Sequence, residues 1–363
     1  MSMLKELLGR AVERDASDVH LKCNQVPYFR ISSHLSESGF EAVSIESMLA
    51  IIDDLLPPHL KKIFDSDHEA DFAHVEQDVG RFRVNVFLTQ GWPAIALRHV
   101  KTDVPSFEQL RLPPQLKDLA NITRGIVLLC GTTGSGKSTT LAAVIQQINH
   151  TLRRRIVTIE DPIEYVFDDD QSLITQREVG LDTVNFNNAL RHLLRQDPEV
   201  ILIGEMRDRT SVRTALLAAE TGHLVMSSLH ASNAELSVSR MLDIFPADEQ
   251  DQVRLAIASN MQAIVCQRLI RDVEGNPVPA VEILFNTPTV RKLIEKNELP
   301  TLSAAIETGR EEGMQTFNQS LYQLITDGQI SEEEGMRHAT NPESLRMNLQ
   351  GIFLDEDRRI LSS

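Results

Sequence analysis

The rhythm of apolar positions changes several times along this chain. Over residues 44–56, Ile45, Met48, Leu49, Ile52 and Leu55/Leu56 fall three or four apart, the spacing of an amphipathic helix. Residues 81–87 and 94–98 alternate polar and apolar instead, which predicts two half-buried strands turned at Gln90-Gly91. The first eleven residues predict a short amphipathic helix carrying Lys5 and Glu6. Residues 1–103 therefore read as a small α+β domain. The proline-bearing stretch that follows, with Pro105, Pro113 and Pro114, reads as a linker over 104–118 containing one helical turn.

Beyond residue 119 the pattern becomes short apolar runs, at 126–130, 156–160, 200–203 and 224–229, separated by helix-compatible segments. That alternation predicts a mostly parallel, doubly wound α/β sheet over 119–286, with ligands at the C-terminal ends of its strands. Past Asn286 the chain is helical and charged, broken at Gly309, Gly313, Gly328 and Asn341-Pro342. A helical C-terminal subdomain is expected over 287–349. The tail, 350–363, has little to bury and is expected to be disordered.

The first of the apolar runs leads into Gly131-Thr132-Thr133-Gly134-Ser135-Gly136-Lys137-Ser138, which fits the phosphate-binding P-loop at every required position. A helix-compatible stretch, 139–149, follows it, so Thr139 falls at the helix start. Glycines let backbone N–H groups point into one small space, and the helix start adds partial positive charge there. Lys137 is expected to reach the β- and γ-phosphates of a nucleoside triphosphate, and the Ser138 hydroxyl to ligate Mg²⁺.

Two acidic groups follow other apolar runs. Glu205 comes directly after the run at 200–203, where a carboxylate can orient Mg²⁺ or polarise the water that attacks the γ-phosphate. Thr158-Ile159-Glu160-Asp161-Pro162-Ile163-Glu164 supplies a second set: Glu160 and Glu164 as alternative activators of water, and Asp161 as a further candidate for the metal. His223 and His230 bracket the run at 224–229. His230 is a candidate for sensing the γ-phosphate, while the separation of the two is wrong for a shared zinc ion.

Composition narrows the class. A formal net charge of −16 over 363 residues argues against a general nucleic-acid groove. No apolar run reaches the roughly 20 residues of a membrane span, and the charged N-terminal stretch does not suit a signal peptide, so a cytoplasmic protein is expected. Cys23, Cys130 and Cys266 are scattered and suggest neither a disulfide framework nor a zinc module.

With its motifs in order, the chain resembles the PilT/PilU family of type IV pilus retraction ATPases, within the secretion-ATPase superfamily. The resemblance runs from Ala16-Ser17-Asp18-Val19-His20-Leu21 to about Leu349. It passes through Gly80-Arg81-Phe82-Arg83-Val84-Asn85, the P-loop, an acidic box at 159–164, Thr175-Gln176-Arg177-Glu178-Val179-Gly180 and Ile203-Gly204-Glu205-Met206-Arg207. It continues through a histidine box at 222–233 and Gly313-Met314-Gln315-Thr316-Phe317. The resemblance implies a PAS-like N-terminal domain joined to a RecA-like ATPase domain, assembled as a homohexamer that uses ATP and Mg²⁺. It also implies that Arg83 and Arg98 act as arginine fingers, with Arg81 a further candidate.

The implied partners are an inner-membrane pilus platform protein and a paralogous retraction ATPase, with the ring at the inner-membrane periphery at the pilus base. The family's retraction motif reads Thr289-Val290-Arg291-Lys292-Leu293-Ile294-Glu295-Lys296 here; Arg291, Leu293 and Ile294 match, and Lys292 and Glu295 do not. Both a principal motor and a PilU-like accessory stay open on this sequence. An extension or type II secretion ATPase ranks lower, since those relatives carry a longer N-terminal region and a four-cysteine module. A nucleotide-binding accessory without motor activity is the non-enzymatic alternative.

Overall fold

The computed structural model describes residues 3–31, 34–100 and 103–352. They form two compact units. The first holds the residues up to 103 together with 162–166 and 178–184; the second holds 104–161, 167–177 and the chain from 185 onward.

In the first unit the order is α1 (Met3–Glu13), β1 (Asp18–Lys22), β2 (Tyr28–Ile31), β3 (His34–Glu37), α2 (Ile45–Leu55), α3 (Pro58–Asp67), β4 (Glu69–Glu76), β5 (Gly80–Thr89) and β6 (Trp92–Val100). The strands make one antiparallel sheet in the order β3-β2-β1-β6-β5-β4. Leu4, Leu7, Leu8 and Ala11 share one face of α1 and pack into a core with Phe29, Phe82 and Ile95. Ser44 caps α2 by accepting a bond from the Ser47 amide. The buried stripe of α2 is Met48, Ile51, Ile52 and Leu55; Leu49, counted in the predicted stripe, is 54% exposed. Between β5 and β6 the chain turns in two residues, Gln90 and Gly91, both in the left-handed region (φ 54° and 80°), the conformation whose twist matches a tight hairpin.

The second unit is built on a seven-stranded sheet. Its elements are β7 (Gly125–Cys130), α4 (Lys137–Thr151), β8 (Arg155–Glu160), β9 (Leu173–Glu178), α5 (Phe186–Leu193), β10 (Val200–Ile203), α6 (Arg209–Glu220), β11 (Leu224–Leu229), α7 (Ala234–Asp243), α8 (Ala247–Asn260), β12 (Met261–Arg271) and β13 (Pro277–Phe285). The helices α9 (Pro288–Glu295), α10 (Leu302–Thr308), α11 (Phe317–Thr326), α12 (Glu332–His338) and α13 (Pro342–Leu349) follow. The strand order is β13-β12-β7-β11-β10-β8-β9. From β12 through β8 every pairing is parallel, and β13 returns antiparallel to β12. Every residue of β7, β10 and β11 is buried, as strands covered on both faces must be.

The two units divide the chain at other points than the expected boundaries. The stretch expected as a linker, 104–118, belongs to the second unit, because Phe107, Leu112 and Leu116 are buried there. The helices after residue 287 share that unit; α11 lies against β13, where the Val281 amide donates to Ser320 Oγ at 3.1 Å. Glu178 and the segment 162–166 join the first unit, where Arg81 donates to Glu178 Oε2 at 2.9 Å and the Ile163 amide donates to the same oxygen at 3.2 Å. Of the tail expected over 350–363, residues 353–363 lie outside the described residues. No helix among the described residues is long and apolar enough to cross a membrane.

Candidate active site

Parallel registry puts the candidate groups of the second unit along one edge of its sheet. Leu229 pairs with Cys130, Ile203 with Ser227, and Ile159 with Ile203. The P-loop after β7, His230 after β11, Glu205 after β10 and Glu160 at the end of β8 therefore all emerge at the C-terminal strand ends.

The loop after β7 is a cradle. Gly131, Gly134 and Gly136 have φ of 152°, 77° and 85°, conformations that a side chain disfavours. A Cβ on Gly131 would come within 2.5 Å of the Gln267 carbonyl oxygen, so no side chain fits there. Lys137 is buried and folds back over the loop, donating to the carbonyls of Gly131 at 3.0 Å and Thr132 at 2.9 Å. Ser135 Oγ is buried with no hydrogen-bond partner among the described residues. A glycine cradle, an ammonium held over it and an orphaned hydroxyl together fit a bound polyphosphate. Thr132, Thr133 and Gly134 are exposed, and Ser138 and Thr139 are half-buried in the first turn of α4, the place from which a hydroxyl can ligate Mg²⁺.

Glu205 sits at a junction. Its Oε2 accepts from Arg207 Nε at 2.7 Å, and its Oε1 lies 3.2 Å from His230 Nε2. The carboxylate is thus held by two side chains, and a cleft of about 390 Å³ opens over Glu205, Arg207, His230, Arg240 and Asp243. A larger cleft of about 690 Å³ is lined by Arg111, Gln115, Met314 and Tyr322 among others, with neither a glycine nor a lysine in that lining.

Glu160 is buried and accepts from Thr158 Oγ1 at 2.7 Å and from Gln176 Nε2 at 3.2 Å. Asp161, the next residue, is exposed in the second unit. Glu164 is exposed as well, but it belongs to the first unit with Pro162–Val166. The acidic box is therefore divided between the two units.

The two histidines of the histidine box do different work. His223, at the start of β11, places Nδ1 2.9 Å from the Ala218 carbonyl and 3.1 Å from Thr221 Oγ1, closing the end of α6. His230, at the other end of the strand, meets Glu205.

Among the arginines, Arg98 donates from Nε to Asp18 Oδ1 at 2.8 Å, and Arg83 Nε lies 3.9 Å from Asp71 Oδ1. Both belong to the first unit, as does Arg81 with its partner Glu178.

Gln267 carries no motif of its own in the sequence. It is 3% exposed on β12, its Nε2 donates to the Ser135 carbonyl at 2.8 Å, and its Oε1 accepts from Thr140 Oγ1 at 2.9 Å. The only signal for it was a lone amide in an apolar run, Ile264-Val265-Cys266-Gln267.

Comparison with known proteins settles the family. The model of the family described as type II/IV secretion system protein matches residues 1–323. The Pseudomonas aeruginosa type IV pilus retraction ATPase PilT is 39% identical over 341 residues, covering 94% of this chain and 99% of the relative. This chain belongs to the PilT/PilU branch of the type II/IV secretion family. The type IV pilus ATPase PilU of the same organism is also 39% identical, over 360 residues, covering 99% of this chain and 94% of PilU. A crystal structure of the pilus retraction motor PilT with bound ADP superposes with a TM-score of 0.88 at 40% identity, covering 94% of this chain and 98% of that one. PilT/PilU membership accounts for the mixed α/β architecture and for the parallel sheet beneath the phosphate loop.

Proposed function

We propose that this chain is an ATP-hydrolysing motor subunit that powers type IV pilus retraction. The observation that carries the reading is the alignment of a complete phosphate cradle with Glu160, Glu205 and His230 on one sheet edge, in a chain similar over 94% of its length to PilT. Lys137 moves from the loop carbonyls to the β- and γ-phosphates when ATP binds, and backbone N–H groups of 131–138 take the remaining oxygens. The Ser138 hydroxyl would hold Mg²⁺, with Asp161 as a further ligand, and the ion would offset charge on the phosphates.

Glu205, oriented by His230 and Arg207, polarises the attacking water; Glu160 and Glu164 are the alternatives for that role. Arg83 and Arg98 are the candidates for offsetting charge on the transferring phosphoryl group. The working form is a homohexamer in the cytoplasm at the pilus base, engaging an inner-membrane platform protein and, in a mixed machine, a paralogous retraction ATPase.

The test is to label pili fluorescently and count retraction events in cells whose one retraction ATPase is this protein, beside a Lys137→Ala strain. Purified Lys137→Ala is expected to melt as wild type does and to lose ATP turnover. Retraction that disappears in the Lys137→Ala strain establishes an autonomous motor. Retraction only when a paralogue is restored makes this chain the accessory subunit, and wild-type turnover in Lys137→Ala sinks the site.

A further inference from the structure

β12 has eleven residues and β7 has six, and Cys266 pairs with Cys130, the last residue of β7. The next residue of β12, Gln267, therefore lies beside the first residue of the phosphate loop. Three features of the loop and one of α4 meet it there. Its backbone oxygen stands where a Cβ on Gly131 would go, at 2.5 Å, and its Nε2 stands 2.7 Å from where a Cβ on Gly136 would go. Its Nε2 donates to the Ser135 carbonyl at 2.8 Å, and its Oε1 accepts from Thr140 Oγ1, one turn into α4, at 2.9 Å.

One carboxamide thus ties the crest of the loop to the helix that continues it. At 3% exposure water does not compete for either bond. The strand itself is fixed from its other face: Arg268 stacks over the Phe317 ring at 3.9 Å and donates to the His338 carbonyl at 2.9 Å. A loop that binds by aiming backbone N–H groups needs such a support, since its own glycines supply no stiffness.

We propose that Gln267 is a positioning residue for nucleotide binding, setting the phosphate loop in its binding geometry through Ser135 and Thr140. The proposal rests on the reading of this loop as the nucleotide site. It assigns Gln267 no contact with the nucleotide.

The test uses the full-length chain, the affinity for a fluorescent ADP analogue, steady-state kcat and KM for ATP, and melting of the nucleotide-free protein. Gln267→Leu, close to Gln in volume, is expected to weaken ADP binding about tenfold and to raise KM with it, the scale of a buried hydrogen bond left unmade. Thr140→Val is expected to weaken binding about threefold, and to add nothing further in the Gln267→Leu background, because the two changes remove one shared bond.

Gln267→Glu separates positioning from bulk stability. A buried carboxyl opposite the Ser135 carbonyl keeps its proton to higher pH than usual, and only the protonated form can donate. Its affinity is expected to fall well below wild type at pH 8 and to recover to within about twofold of wild type near pH 6.

Gln267→Leu or Gln267→Glu that melts lower but binds ADP within twofold of wild type at both pH values overturns the proposal and leaves Gln267 a packing residue. Should Gln267→Leu fail to fold, Thr140→Val and Gln267→Glu carry the test, and the absence of both effects overturns it. A wild-type chain that binds no nucleotide overturns the loop assignment itself, and this proposal with it.

Discussion

Arg83 and Arg98 stand directly opposite each other across the β5–β6 pair. Like charges in register disfavour a sheet, so each arginine needs its own counter-charge: Asp71 beside Arg83 and Asp18 beside Arg98. Burial alone would raise the Asp18 carboxyl, but the Ser17 hydroxyl and the Arg98 guanidinium outweigh it and hold Asp18 below the usual carboxylate range.

If both arginines serve hydrolysis, Arg83→Gln and Arg98→Gln each lower kcat by on the order of 10³ while ADP affinity changes less than about threefold. Arg98→Gln also lowers the melting temperature more than Arg83→Gln, since it alone removes a 2.8 Å partner of Asp18. ATPase kinetics and melting curves check this. Turnover within tenfold of wild type in both variants would make them sheet-surface residues.

Glu205 and His230 are expected to act together. Glu205→Gln should cut kcat by about 10²–10⁴ with ATP binding retained, the range for a lost general base. His230→Gln should cost less, about tenfold, because Arg207 still holds the carboxylate. A double variant no worse than Glu205→Gln would demonstrate the coupling; fully additive losses would mean independent roles. Glu160→Gln losing more than Glu205→Gln would move the base to β8.

Glu282 gives a pH dependence. Burial raises its carboxyl above the ordinary value of 4.5, although it accepts from the Ala234 amide at 2.8 Å and Arg268 is nearby. The folded chain therefore binds this proton more tightly than the unfolded chain, and the stability it provides is full below about pH 4.5 and lost as pH rises through the raised value. Glu282→Gln keeps the acceptor without the charge. Its melting temperature relative to wild type is expected to climb from pH 5 to pH 8; a constant difference would refute the assignment.

Arg81 and Glu178 make a shielded ion pair, 18% and 6% exposed. Glu178→Gln leaves Arg81 uncompensated and is expected to destabilise the protein by about 2 kcal/mol, less than for a fully buried pair because Arg81 keeps some contact with water. Chemical denaturation measures it, and an unchanged midpoint would show the pair to be incidental.

Much of the second unit was legible because its signals are local. The P-loop spacing, the apolar runs ending at Cys130, Glu160, Ile203 and Leu229, and the acids behind them each lie within a few residues. β12 and β13 were not read, for a physical reason: α8 ends at Asn260 and β12 begins at Met261, so no turn residue announces the change. Gln267 was missed with them, since its meaning comes from pairing with β7, well over a hundred residues earlier. Leu49 shows the limit of periodicity in the other direction. It fits the helical stripe of α2, yet Ile51 is the residue turned to the core. The acidic box was legible as chemistry but not as geography, because Glu164 follows Glu178 and Arg81 into the first unit.

The units are interleaved in sequence, with the chain passing from one to the other after residues 103, 161, 166, 177 and 184. A ribosome releases the chain from its N-terminus, and a domain ordinarily folds once its own residues have emerged. Here the first unit waits for Glu178 and for 179–184, by which time the phosphate loop and α4 are already outside the tunnel. The first unit is therefore completed only after the opening elements of the second have emerged, and a cut at residue 104 would yield not an independent N-terminal domain but a sheet with Arg81 stripped of its carboxylate.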